Sequence, residues 1–167
     1  MQACNVYASS SAIRITLLNL CAELLEVIDY LGNETKPWKS KEVDWEHIKE
    51  EVVDVYHFYL QLFILSGYSE QHDYYKSVGD SISFDVQPFN TGKLENTCAF
   101  VVSQSMISFI QEKIEEQFLL LLTIKMQQLF DLVGMDDKEV DELYRNKRDK
   151  NFQRIQEKMS GLGTRTT

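Results

Sequence analysis

Apolar residues recur at helical spacing in the first part of the chain. Between about residues 12 and 31 they lie three, four or seven positions apart, at Ile13, Leu17, Leu20, Leu24, Val27 and Leu31. This spacing places them on one stripe of an α-helix, and Gly32 and Asn33 are residue types that end helices. The pattern therefore predicts a first amphipathic helix over about 12–31.

A second helix is predicted from Asp44 to about Ser66. Asp44 is a helix-capping residue type, and acidic residues follow it near the positive end of the helix dipole. Its apolar positions again follow the helical period, at Ile48, Val52, Val55, Tyr59 and Leu62. Gly67 then indicates the end of the helix.

Residues 67–96 have a different character. Gly, Ser, Asp, Asn and Pro88 are mixed with aromatic residues, and no helical period persists. We expect a long irregular connection with at most a short helix around residues 70–76. Connections of this length in a compact domain are more often functional flaps than plain linkers.

The helical pattern returns from Thr97 to about Val133, where Gly134 ends it, and a last helix is predicted to start near Asp136. The tail over residues 160–167 is expected to be disordered. The whole chain, residues 1–167, is therefore predicted to form a single all-α domain, a helical bundle of four or five main helices.

The net charge of −9 disfavours a nucleic-acid backbone as the partner, because binding phosphates along a strand requires a basic face. Three cysteines without a CxxC pair give neither a zinc site nor a disulfide framework, and fit a reducing compartment. The longest aliphatic run, residues 118–124, is too short to span a bilayer. We therefore expect a cytoplasmic protein that binds neither nucleic acid nor a membrane.

Four acidic residues fall where buried faces are expected. On the second helix Glu51 and Asp54 are ~60° apart, beside the apolar stripe, and on the first helix Glu23 and Glu26 are one turn apart. If the two helices pack antiparallel, four carboxylates meet, which costs several kcal/mol unless a cation or a proton intervenes. Oxygen ligands without a cysteine or a histidine pair favour Mg²⁺ or Mn²⁺. The alternative is that both acid pairs are solvated surface features.

Three segments in this order resemble the motifs of the dimeric dUTPases, which belong with the MazG-like all-α pyrophosphohydrolases. They are ELLEVID at 23–29, PWK at 37–39 and EVVDVYHF at 51–58. A fourth match lies near the end of the chain, where the family's YxxKxxxNxxR spacing is reproduced by Tyr144, Lys147, Asn151 and Arg154. The resemblance implies a homodimer that hydrolyses dUTP to dUMP and pyrophosphate.

The resemblance also implies roles for these residues. The metal ligands would be Glu23, Glu26, Glu51 and Asp54, holding Mg²⁺ or Mn²⁺, and one of the three glutamates would orient or deprotonate the attacking water. The remaining substrate-binding positions would be Trp38, Lys39, Tyr144, Lys147, Asn151 and Arg154. Of these, Lys39, Lys147 and Arg154 would neutralise phosphate oxygens. Asn151 would hydrogen-bond sugar or phosphate, and Trp38 would line one side of the pocket. His57 is expected to lie outside the metal shell.

Three alternatives remain open at this stage. Only 22 residues precede Glu23, and the family's base-reading helix is not evident among them, so dCTP or a broader range of deoxynucleoside triphosphates is a second substrate hypothesis. Another alternative is a helical interaction protein without catalytic activity. A di-iron carboxylate bundle would need two ExxH helices, and only residues 54–57 come near that pattern.

Overall fold

The computed structural model describes residues 3–32, 42–82 and 86–161, with side chains from Ser10 onward. Over these residues the protein contains six α-helices, one 3₁₀ turn at Ser69–Gln71 and no strand. The helices are α1 Ala3–Leu31, α2 Trp45–Ser66, α3 His72–Ser81, α4 Thr91–Gln111, α5 Glu116–Leu132 and α6 Asp137–Gly161. The predicted all-α class is confirmed.

The core lies where the sequence pattern puts it. Helix α1 packs against α2 and α4, α5 packs against α3 and α4, and α6 crosses α2. The stripe of α1 is buried at Leu20, Leu24 and Val27, and the facing side of α2 is buried at Val52 and Leu62. Each such side chain contributes roughly 1.5–3 kcal/mol on full burial, so these stripes hold the two helices together.

The ends of α2 follow from its capping residues. The Oδ1 atom of Asp44 accepts a hydrogen bond from the backbone N–H of His47 at 3.1 Å. At the other end Gly67 adopts φ 80°, a left-handed conformation that glycine tolerates without steric cost, and its N–H bonds the carbonyl of Ile64. Both predicted boundaries of this helix agree with the structure.

The irregular connection predicted over 67–96 is wrong for most of its length, although the short helix expected around 70–76 lies partly within α3. Helix α3 occupies 72–81, and α4 begins at Thr91 after Asn90, whose Oδ1 accepts the backbone N–H of Lys93 at 3.0 Å. Tertiary packing overrides the weak local pattern, because Tyr75 and Gly79 of α3 are buried against α5. Flap motion of this segment stays a prediction. Of the predicted disordered tail, Ser160 and Gly161 belong to α6, and 162–167 lie outside the described residues.

Two further boundaries differ from the sequence pattern. The helical segment predicted over 97–133 is divided into α4 and α5, with Glu112 at φ 55° where α4 ends. No glycine or proline lies at that break, so the sequence carries no signal that a helix ends there. Helix α1 also begins nine residues earlier than predicted, at Ala3.

Among the described helices, none alone has the length and apolar character to cross a bilayer. Helices α5 and α6, which meet at 98°, together have the length and composition of a bent span, and this likeness rests on length and composition only.

Replacing Tyr59 by phenylalanine should lower the free energy of unfolding by about 1 kcal/mol, the usual net value of a buried hydrogen bond. The Tyr59 hydroxyl lies 2.9 Å from Oγ1 of Thr123, which itself donates to the carbonyl of Leu119. Urea denaturation measures the change. The matched control is Tyr74→Phe, since Tyr74 is 66% exposed. Equal stability of the two variants would contradict the assigned hydrogen bond.

Candidate functional site

Three pairs of polar side chains face each other across α1 and α2. The ring of Tyr30 packs at a tilt against that of His47, the carboxyl of Glu26 is hydrogen-bonded to that of Glu51, and Glu23 lies beside Asp54. Moving back by four and then three residues along α1 corresponds to moving forward by four and then three along α2. The two helices are therefore antiparallel, and their i, i+3 and i, i+4 positions bring the pairs into one row.

Glu23, Glu51 and Asp54 form a compact carboxylate group. One oxygen of each lies within 4.8 Å of the others. Glu51 is buried at 8% exposure, and Glu23 and Asp54 are half-buried. Glu26, the fourth predicted ligand, is exposed and is not in this group, but its carboxyl hydrogen-bonds that of Glu51. Three of the four predicted ligands are thus brought together, with the fourth alongside.

Crowding and burial disturb the ionisation of two of these groups. Burial, followed by the hydrogen bond to Glu26, raises the pKa of Glu51 to about 7, against an opposing effect from Lys147. Burial and then the charge of Asp54 raise the pKa of Glu23. Burial and crowding therefore favour the protonated form of these two glutamates more than that of an ordinary surface glutamate.

Lys147 is the cation that α6 brings to the carboxylates. Its Nζ forms a short ion pair with Oδ2 of Asp54 and donates to the carbonyl of Glu50 at 2.7 Å. The start of α6 is fixed to α2 by a second contact, in which Nζ of Lys49 lies 2.9 Å from Oε1 of Glu139. Helix α6 therefore presents its basic side to the acid row.

The other predicted substrate residues are placed as follows. Tyr144 packs its ring against His57 and Tyr56, with ring centroids 6.2 and 5.6 Å apart. Asn151 and Arg154 lie roughly 6 and 10 Å further along α6 than Lys147. Both side chains are exposed and make no hydrogen bond or ion pair with another described residue. Trp38 and Lys39 lie outside the described residues.

A cleft of about 490 Å³ lies between α2, α3, α5 and α6, on another side of α2 from the carboxylates. Its lining includes Tyr56, Thr123, Phe130 and Tyr144, but none of the carboxylate group. Tyr144 therefore borders the cleft and also contacts His57. We take the carboxylate group as the candidate site, because chemistry requires charged groups in defined geometry and a cavity alone supplies only space.

The donor set of the carboxylate group fits a hard divalent cation. Its ligand atoms are oxygens at close range, and the raised pKa of Glu51 indicates that a negative charge on this carboxyl is disfavoured without a cation. Solvated acid pairs would show neither burial nor mutual contact, so that reading is disfavoured. A di-iron site is also disfavoured, because the group contains no histidine.

Sequence reasoning missed His47. Its Nε2 lies 3.2 Å from Oε1 of Glu51, and its ring centroid lies 4.0 Å from that of Tyr30. Its position in the sequence could have indicated it, because His47 precedes Glu51 by four residues and so lies on the same face of α2.

Comparison with known proteins gives one finding. A family model described as dUTPase matches residues 3–159, nearly the whole chain. No curated protein and no solved structure matches the chain.

The raised pKa of Glu51 gives a pH dependence of stability. In EDTA, stability should fall as pH rises from about 4.5 to about 7, because the folded protein keeps a proton that the unfolded chain releases. In the variant Glu51→Gln, the part of this decrease in stability that comes from Glu51 should be absent. The variant should therefore be more stable than the wild type at pH 8. Thermal denaturation across pH measures both effects. Glu50→Gln, at an exposed neighbouring acid, is the control. A fall of the same size in Glu51→Gln would contradict the assignment.

Proposed function

The chain belongs to the dUTPase family, and from this premise we propose that it cleaves dUTP to dUMP and pyrophosphate by attack of water, with a divalent cation held by Glu23, Glu51 and Asp54. The observation that carries the proposal is the close approach of these three carboxylates across two antiparallel helices. Such a group is costly unless a positive charge joins it.

We propose Mg²⁺ as the ion, with Mn²⁺ as the alternative, because the ligands are all carboxylate oxygens. A bound Mg²⁺ polarises phosphate oxygens and lowers the pKa of a coordinated water. The chain's own contribution is to hold the three carboxylates in place through the buried stripes of α1 and α2. Metal ligation also requires Glu51 to lose its proton.

Glu26 is the glutamate that we assign to the attacking water. It is exposed, it lies outside the compact group, and its carboxyl is hydrogen-bonded to that of Glu51. A carboxylate in this position is able to accept the proton of a water that lies beside the cation. Glu23 and Glu51 orient that water through their remaining oxygens.

The basic side of α6 is proposed to bind the phosphate chain. Lys147 would exchange its contact with Asp54 for a phosphate oxygen once a metal ion neutralises the aspartate. Asn151 and Arg154 extend the same side of the helix and would bond sugar and outer phosphate oxygens. Tyr144 is proposed to contact the nucleoside, and Trp38 and Lys39 complete the proposed substrate-binding residues.

We also propose a homodimer. Residues 145–161 of α6 are almost entirely exposed, and Phe152, Ile155 and Met159 form an apolar seam along them. The same stretch has six Lys or Arg and two Asp or Glu, while the whole chain is at −9. A second copy of the chain therefore offers the acidic partner that this basic, apolar surface fits. A cytoplasmic location is proposed as well, supported by two buried free thiols, Cys21 and Cys98.

With Mg²⁺, the purified protein should release pyrophosphate from dUTP. Asp54→Ala should reduce kcat/KM by roughly 10²-fold or more, because it removes a ligand of the proposed ion. Glu50→Ala should keep wild-type activity, since the neighbouring acid is exposed and outside the group. A coupled pyrophosphate assay with EDTA controls measures these rates.

Release of orthophosphate in place of pyrophosphate would contradict the proposed reaction. Activity of Asp54→Ala equal to that of Glu50→Ala would place the metal elsewhere. The same assay on a panel of nucleotides separates dUTP specificity from the alternative of dCTP or a broader range, through the ratio of kcat/KM values.

In light scattering, the wild type should have twice the mass of the 19.5 kDa chain. Ile155→Glu should reduce the mass toward that of a monomer, because it places a charge in the apolar seam. Gln153→Glu adds the same charge on a different face of the exposed helix and should stay dimeric. A monomeric wild type, or a dimeric Ile155→Glu, would contradict the proposed interface.

A further inference from the structure

His47 occupies the end of the row formed by Glu23, Glu26, Glu51 and Asp54. Its Nε2 is 3.2 Å from Oε1 of Glu51. That nitrogen is buried, yet it makes no hydrogen bond of adequate angle to any described residue. A buried polar nitrogen without a well-aligned partner costs about 1–3 kcal/mol, so its retention beside a carboxylate calls for a physical reason.

The imidazole is held in place independently of Glu51. The backbone N–H of His47 is fixed by the capping carboxylate of Asp44 in the first turn of α2. The ring packs against that of Tyr30 of α1 in a tilted contact, with an interplanar angle of 60°. One contact fixes the backbone and the other fixes the ring, so the direction of Nε2 is set before any ligand binds.

Glu51 has two competing neighbours. One is Glu26, whose carboxyl is hydrogen-bonded to that of Glu51. The other is His47, whose Nε2 lies 3.2 Å from Oε1 and is able to donate an N–H to the carboxylate. An N–H on Nε2 exists in one neutral tautomer and in the imidazolium alike, so the argument needs no particular charge on the ring.

We propose that His47 is a positioning residue, which donates from Nε2 to Oε1 of Glu51 and thereby directs the other oxygen toward Glu23 and Asp54 for metal ligation. The inference rests on the proposed function, since it assumes that Glu51 holds a cation. A small rotation of the carboxylate, away from Glu26, would align the N–H that is poorly aligned without metal. Groups that orient metal ligands in this way typically change metal affinity or activity 10- to 100-fold when removed.

The test measures the Mg²⁺ concentration that gives half of the metal-dependent rise in melting temperature. For His47→Ala this concentration should increase roughly 10- to 100-fold. His47→Gln keeps an N–H donor on a side chain of comparable reach and should lie closer to the wild type. His72→Gln is the matched control, because His72 is also an aromatic-packed histidine, against Tyr59 and Phe63, away from the carboxylates.

Kinetics provide a second readout. The loss of kcat in His47→Ala should disappear as Mg²⁺ is raised to saturation, with KM for dUTP unchanged there, since the residue acts through the ligand and not on the substrate. A merely structural role would lower the melting temperature in EDTA without moving the Mg²⁺ dependence.

The possible failures are distinguishable. A wild type whose melting temperature does not respond to Mg²⁺ would overturn the proposed metal site, and the role of His47 with it. A responsive wild type together with an unshifted His47→Ala would overturn the positioning role alone.

Discussion

The buried apolar contact between α1 and α2 is the interaction on which the structure depends, and it forces carboxylates together at its edge. The apolar stripes of both helices are buried, with Leu20, Leu24, Val52 and Leu62 at 0% exposure, and they cannot separate without exposing the core. The acidic side chains lie at the edge of those stripes, so packing of the core brings them together. Like charges at this range cost several kcal/mol, and the fold retains that unfavourable interaction because hydrophobic burial outweighs it.

Other groups temper this crowding and link it to the rest of the molecule. Lys147 of α6 pairs with Asp54, and burial together with the hydrogen bond to Glu26 raises the pKa of Glu51 to about 7. Both arrangements reduce the net negative charge of the carboxylate group. In the proposed function, a cation bound there would take the place of a proton on Glu51 and free Lys147 for a phosphate, which would couple metal binding to substrate binding through one lysine.

Much of this could be predicted from the sequence, because it depends on short-range spacing. The periodic stripes predict α1 and α2, the Asp44 and Gly67 signals give the ends of α2, and the i, i+3 acid pairs indicate the carboxylate group. The break after α4 could not be predicted, since Glu112 adopts its left-handed conformation without a glycine. Helix α3 is longer than the short helix predicted around residues 70–76, because its stability comes from contacts of Tyr75 and Gly79 with α5, which no local pattern reports. His47 shares a face with Glu51, but its role depends on Tyr30 of the other helix.

The most direct test of the central claim is a calorimetric titration of the wild type with Mg²⁺ near pH 7, in two buffers of different ionisation enthalpy. If a cation relieves the crowding, binding must expel the proton held by Glu51, and the apparent enthalpy will differ between the buffers in proportion to the protons released. Binding with equal enthalpy in both buffers, or no binding, would contradict the account.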